Sequence, residues 1–346
     1  MQVTLNDKAK KLKLNTPMLY TYTIMGAVFS TIEEKDLPWF YSNFIQIRYS
    51  FDWNMFIFDN HMNLLQDCPI FKTQYLMFDS NYEKSHSFKD TIINIINNNY
   101  YIYLYLDWYY IIPEYCKKHF AHTTLISGYD LEKNILVVSD NYEHGKFTSL
   151  EIDLDTVEKA FHSAWNASVG NVKDNDNSRS FEYIKAFTLF QYIDDVNLNF
   201  SKNDFYIQLF NYINSIPFSL FDDGNKYYYG LNSYRAIKEY FDGNKSIKIG
   251  IRDFHLIYEH KYFMKERIKY MLDKHILEDM NLLEEIDEIK NYFLNLRNLF
   301  LKSSLLDNNK KNNANVRILN KLNIAVSKEQ IFLQKLLNDF VRHNLT

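Results

Sequence analysis

Apolar residues recur on two different rhythms along this chain, and the change falls at about residue 200. Before it, short apolar runs are bounded by Asn, Asp and Gly, the punctuation of strands and turns. Residues 101–106, Tyr-Ile-Tyr-Leu-Tyr-Leu, are apolar on both faces and predict a buried strand ending at Asp107. Residues 123–127 and 135–138 predict two more, the first closing on Gly128-Tyr129-Asp130, where glycine can supply a positive φ. The short turn 131–134 between them makes these strands antiparallel neighbours. Further extended segments are expected at 44–47, 55–58, 147–152 and 183–190, within a region of mixed short strands and turns from 36 to 78.

Helical patterns frame these strands. Thr16-Pro17 is a good N-cap and first-turn pair, and 18–29 continues with Gly26 as its only breaker, so a helix apolar on all sides is predicted inside the domain. A short helix over 87–97 puts Phe88, Ile92, Ile95 and Ile96 on one face. Asp153 caps another that runs to about Trp165, with Val157, Phe161 and Ala164 on the same side. Residues 172–180 read as a linker.

From about Asp204 the spacing is helical: 233–241, a long amphipathic run over 251–272, and a stripe of Leu282, Ile286, Ile289, Phe293, Leu296 and Phe300. Residues 307–313 are expected to form a loop. A last helix over 327–341 turns Leu333, Leu336, Leu337 and Phe340 inward. The fold class is therefore α+β, an antiparallel sheet with a central N-terminal helix and then a mainly helical C-terminal region. The expected domains are 1–200 and a helical 201–346 packed on it.

Composition narrows the chemistry. Hydrophobic residues at 47% and charged residues at 24% suit a soluble globular protein, and a net charge of −4 offers no whole-chain attraction for nucleic acid. The 28 Tyr and 27 Phe against 8 Gly and 5 Pro fit an AT-rich coding bias, with an aromatic-lined binding surface as the alternative. Two cysteines, Cys68 and Cys116, are too few for a disulfide framework and make no zinc pattern. His255, His260 and His275 lack metal-ligand spacing, so neither metal nor cofactor is expected. No phosphate-binding glycine loop and no G-x-S-x-G elbow occurs. Without an apolar leader or a run of 18 apolar residues, the chain reads as cytoplasmic and without a membrane partner.

The strands set out above carry one candidate constellation. His122 opens the second and Asp140 follows the third, so an aligned register brings imidazole and carboxylate together, the bond that holds a general base in one tautomer. The alternative is a satisfied core histidine and a turn aspartate. Asp107, Tyr109-Tyr110, His119, His122, Gly128-Tyr129-Asp130 and Asp140, in that order, resemble the butirosin biosynthesis protein H N-terminal family, papain-like proteins found with peptide and aminoglycoside biosynthesis enzymes.

The resemblance implies a papain-like fold and transfer of an acyl group from a carrier-protein thioester to an amine, or hydrolysis of an amide or thioester. It makes His122 the base and Asp140 its orienter, with Asp107, Tyr20 and Thr21 as substrate-binding positions. An acyl or peptidyl carrier protein with a phosphopantetheine-tethered substrate is the expected partner, and a homodimer the assembly considered. In papain-like folds the nucleophilic cysteine starts the central helix, where the dipole lowers its pKa. Here no cysteine stands there; Thr16, Tyr20, Thr21 and Thr23 are the nearest hydroxyls, and Cys116 and Cys68 are the only thiols. A catalytically degenerate member that binds without catalysing is the second reading.

Overall fold

Three antiparallel strands, Tyr101–Asp107, Ala121–Asp130 and Ile135–Glu143, form the middle of a seven-stranded sheet, and each begins within two residues of its expected start. The computed structural model describes residues 8–78, 80–170, 186–196, 198–217, 226–306 and 308–344. In chain order its strands and α-helices are β1 (Ala9–Lys11), α1 (Thr23–Thr31), α2 (Leu37–Asn43), β2 (Ile47–Ser50), β3 (Met55–Phe58), α3 (Leu64–Asp67), β4 (Phe71–Met77), α4 (Ser80–Glu83), α5 (Phe88–Asn97) and β5 (Tyr101–Asp107). They continue with α6 (Trp108–Ile111), β6 (Ala121–Asp130), β7 (Ile135–Glu143), β8 (Lys146–Asp153), α7 (Leu154–Gly170), β9 (Ala186–Tyr192), α8 (Lys202–Asn214), β10 (Tyr227–Tyr229), α9 (Tyr234–Phe241), α10 (Ile251–Asp273), α11 (Asn281–Ser303) and α12 (Asn308–Asn344). The architecture is mixed α+β with antiparallel sheets and a helical C-terminal region. Among the described residues no helix is long and apolar enough to cross a membrane.

The chain divides into two compact units, Met1–Glu33 with Asn63–Val196, and Glu34–Met62 with Asn197–Thr346. The sequence suggested one division at 200. The chain instead crosses between units three times, because β2 and β3 pair with each other and β2 with β10, all within the second unit.

In the first unit the sheet order is β4-β9-β5-β6-β7-β8, with β1 also paired to β6. Ile102, Leu104 and Leu106 join Ile126, Leu136 and Val138 in one core with Phe88, Ile92 and Ile96 of α5 and Val157 and Phe161 of α7. Ser87 caps α5 by accepting from the Asp90 N–H at 3.0 Å, and Asp153 caps α7 by accepting from the Thr156 N–H at 3.1 Å. The expected linker 172–180 and residues 183–185 of the return strand lie outside the described residues; Ala186–Tyr192 is a strand.

Four local readings are corrected. Helix α1 starts at Thr23, not at Thr16-Pro17, and its N-cap Tyr22 makes no side-chain cap bond. The Asn15 N–H donates to the Ser30 carbonyl at 2.6 Å and its Nδ2 to the Ile32 carbonyl at 2.9 Å, so residue 15 is tied to the helix's C-terminal end. The run before Thr23 must therefore travel back along the helix, and an apolar pattern alone does not separate those two courses. Gly128 has no positive φ; it sits inside β6, where a Cβ would meet the Lys10 carbonyl oxygen at 2.7 Å, so its use is to let β1 come close. The extended segment expected at 44–47 begins only at Ile47, since Phe44 closes α2. Residues 308–313 of the expected loop belong to α12, because nothing between 308 and 344 is Gly or Pro, and Asp307 lies outside the described residues.

The second unit combines the three-stranded sheet β10-β2-β3 with helices α2 and α8–α12. The stripe Leu282, Ile286, Ile289, Phe293 and Leu296 is buried, as are Leu333, Leu336 and Phe340. Its interior is not wholly apolar. Lys261, 1% exposed, bonds Glu329 and donates to the Tyr212 hydroxyl at 3.0 Å, while Tyr212 and Tyr234 donate to Glu329 at 2.7 and 2.8 Å. Burial pulls the Lys261 ammonium down to about 8, against the opposing pull of Glu329.

Candidate active site

Along one face of β7 the side chains run Leu136, Val138, Asp140, and along one face of β6 they run Ile126, Thr124, His122. The same core face thus passes from apolar to polar as it approaches this end of the sheet. The register makes this possible. Ile126 pairs with Val138, but Gly128 pairs with Val137, so Ser127 is the extra residue of a β-bulge. Continuing the first register by one pair beyond Leu125↔Ser139 sets Thr124 opposite Asp140 and His122 on its diagonal, all on one face. Had the second register run through, His122 and Asp140 would lie on opposite faces.

The diagonal is closed by a hydrogen bond of 2.8 Å from His122 Nδ1 to Asp140 Oδ2. Asp140 is fully buried, and four more donors converge on it: Thr23 Oγ1 at 2.6 Å, the Asn141 N–H at 2.7 Å, Trp108 Nε1 at 2.9 Å and Thr124 Oγ1 at 3.2 Å. That many donors offset the desolvation of a carboxylate. A neutral His122 donating from Nδ1 carries its lone pair on Nε2, which has no partner among the described residues. The ring is 19% exposed, so the imidazole is within reach of a ligand while Asp140 is not. Burial first, and the Asp140 charge second, push the nearby Tyr142 hydroxyl well above its ordinary range and keep it protonated.

Asp107 builds the adjoining corner. Its carboxylate accepts from the Tyr109 and Phe120 N–H groups at 3.1 and 2.9 Å, from His119 Nδ1 at 2.7 Å and from Ser163 Oγ at 2.7 Å. It caps α6 and ties the end of β5 to the approach to β6, which places Trp108 for its bond to Asp140. Burial alone raises the Asp107 carboxyl, but the bonds from Ser163, His119, Phe120 and Tyr109 outweigh it and hold it below the ordinary range.

The other expected residues fall nearby. Asn141 Nδ2 donates to the Tyr20 carbonyl at 2.6 Å, and Thr21 is buried in the bend leading to α1. Thr23 opens α1 and gives its hydroxyl proton to Asp140. Hydroxyl and imidazole therefore share one carboxylate, which differs from the nucleophile-imidazole-carboxylate series of a hydrolase triad. Cys116 donates its thiol to the Lys118 carbonyl at 3.1 Å, and Cys68 is buried at the end of α3. Among the described residues no three His, Cys, Asp or Glu side chains gather as metal ligands. Trp108, Thr124 and Asn141 escaped the sequence reading because their roles depend on cross-strand register and on a cap, neither of which leaves a periodic trace.

The fold and site define an α+β domain with a carboxylate-held, partly accessible histidine at one end of its sheet. No protein-family profile matches the chain, and no curated protein matches it.

Proposed function

We propose that the first unit is a papain-like acyltransferase domain of natural-product biosynthesis in which His122 is the general base and Asp140 its orienter. The acyl donor is a carrier-protein thioester on a phosphopantetheine arm, and the acceptor is an amine. His122 Nε2 takes a proton from the amine nitrogen as that nitrogen attacks the thioester carbonyl. The tetrahedral adduct then expels the thiolate, an amide bond replaces the C–S bond, and the imidazolium returns its proton to the sulfur. No covalent enzyme intermediate is used, since Thr23 directs its hydroxyl proton to Asp140 and not to His122. The observation that carries this reading is a partly exposed histidine with Nδ1 committed to a buried carboxylate and no partner on Nε2 among the described residues. With water as acceptor the same groups describe a thioesterase or amidase.

The second reading is a binding module for a carrier protein or peptide intermediate, favoured by the absence of a thiol at the start of α1. Incubation with an acyl-carrier thioester and an amine separates the two. The first reading expects amide product, lost about 10²- to 10⁴-fold in His122→Ala and Asp140→Asn, and no acyl adduct in the intact mass of the enzyme. Product formation indifferent to both substitutions, or none by the wild type, leaves only the binding module.

A further inference from the structure

Phe120 stands half exposed (50%) beside His122, its ring stacked on the imidazole with centroids 5.6 Å apart and planes at 29°. Its backbone is fixed: the N–H donates to Asp107 at 2.9 Å and the carbonyl accepts from the Trp108 N–H at 3.0 Å. The Trp108 ring lies 4.4 Å from the imidazole and meets Phe120 edge-on at 5.8 Å and 71°. Two buried carboxylates thus hold three rings, the His122 imidazole among them, at set angles. A large ring kept on a rigid backbone and left in water forgoes hydrophobic free energy that a ligand can recover. Its geometry favours a flat partner, since rings meet best in offset or edge-on contacts with centroids roughly 4.5–7 Å apart.

We infer that Phe120 and Trp108 form an aromatic subsite that takes the ring of an arylalkylamine acceptor and delivers its nitrogen to His122 Nε2. This rests on the reading of His122 as base and names the acceptor class for it. An ammonium arriving before deprotonation is also drawn to the ring faces. Trp108 keeps its indole N–H on Asp140, so the subsite and the orienting carboxylate are mechanically joined.

The test is an NMR titration of the full chain with benzylamine and with its saturated analogue cyclohexylmethylamine, following the Trp108 Nε1–H and His122 ring signals. Benzylamine is expected to shift both saturably, with the saturated amine at least about five-fold weaker and Phe120→Leu losing about five- to ten-fold for benzylamine alone. The remaining spectrum of Phe120→Leu reports that it is folded. Equal affinities for the two amines, unchanged binding in Phe120→Leu, or no shift at all overturns the subsite. Acyl transfer measured with both amines separates the two layers. Benzylamine that binds in the aromatic-selective way yet yields no product supports the subsite and removes the base, whereas equal turnover of both amines keeps the base and removes the subsite.

Discussion

Asp140 accepts from five donors, so its replacement by Asn reverses the polarity of at least one contact inside a site closed to water. Beyond its effect on transfer, Asp140→Asn is expected to cost about 2 kcal/mol or more in urea unfolding, because hydrogen bonds to a buried anion are among the stronger ones. Asp107 links the same corner to pH. Its folded pKa lies below the unfolded value, so it contributes stability above the unfolded pKa of about 3.9, and that contribution is lost as pH falls through the folded pKa. Melting temperatures taken from about pH 5 to about pH 2 should therefore fall less steeply in Asp107→Asn than in the wild type. Parallel curves would mean that Asp107 is not the coupled group. The His122–Asp140 pair was legible from the sequence because two apolar runs and a four-residue turn fix which ends of the strands meet. The remaining ligands of Asp140 were not, since Trp108 arrives from a one-turn helix capped by Asp107 and Thr23 from a helix start that sequence placed six residues too early.

At the scale of elements, the bulge at Ser127 decides on which face of β6 the histidine lies. Deleting Ser127 should restore an unbroken ladder with Ile126 still opposite Val138, so that His122 stays on the face of Asp140. The hydrogen-bonded Nδ1 proton of His122 is then expected to be detected by NMR in a deletion variant whose circular dichroism reports an intact sheet. Its loss there would refute the parity argument. The bulge is supported from β1: the Leu12 N–H donates to the Ser127 carbonyl at 2.8 Å, and Gly128 admits the Lys10 backbone beside it. The three-residue strand β1 therefore bears on the site by holding the irregularity that aligns it.

Over the whole molecule, the second unit buries the Lys261–Glu329 pair together with Tyr212 and Tyr234. Glu329→Gln strands the ammonium and should cost about 3–5 kcal/mol in chemical unfolding, whereas Lys261→Met with Glu329→Leu should recover much of that loss. The three crossings between units make a further prediction. A fragment ending at residue 200 lacks His260 and Arg267, whose side chains donate to the Ile45, Tyr41 and Phe44 carbonyls, and leaves the buried Phe56 and Phe58 uncovered. It should be recovered aggregated, and a soluble fragment with a dispersed NMR spectrum would contradict this. Spacing along the chain by itself determined which stretches are strands and helices, that two central strands pair antiparallel, and that an imidazole and a carboxylate share one end of them. These are consequences of local periodicity and of short connections, which act within a few residues. Only the tertiary structure decided the bulge, the late start of α1, the return of Glu34–Met62 to the second unit and the five-fold ligation of Asp140. Each depends on contacts between residues distant in sequence, and an apolar run buried on all sides carries no record of which partner buries it.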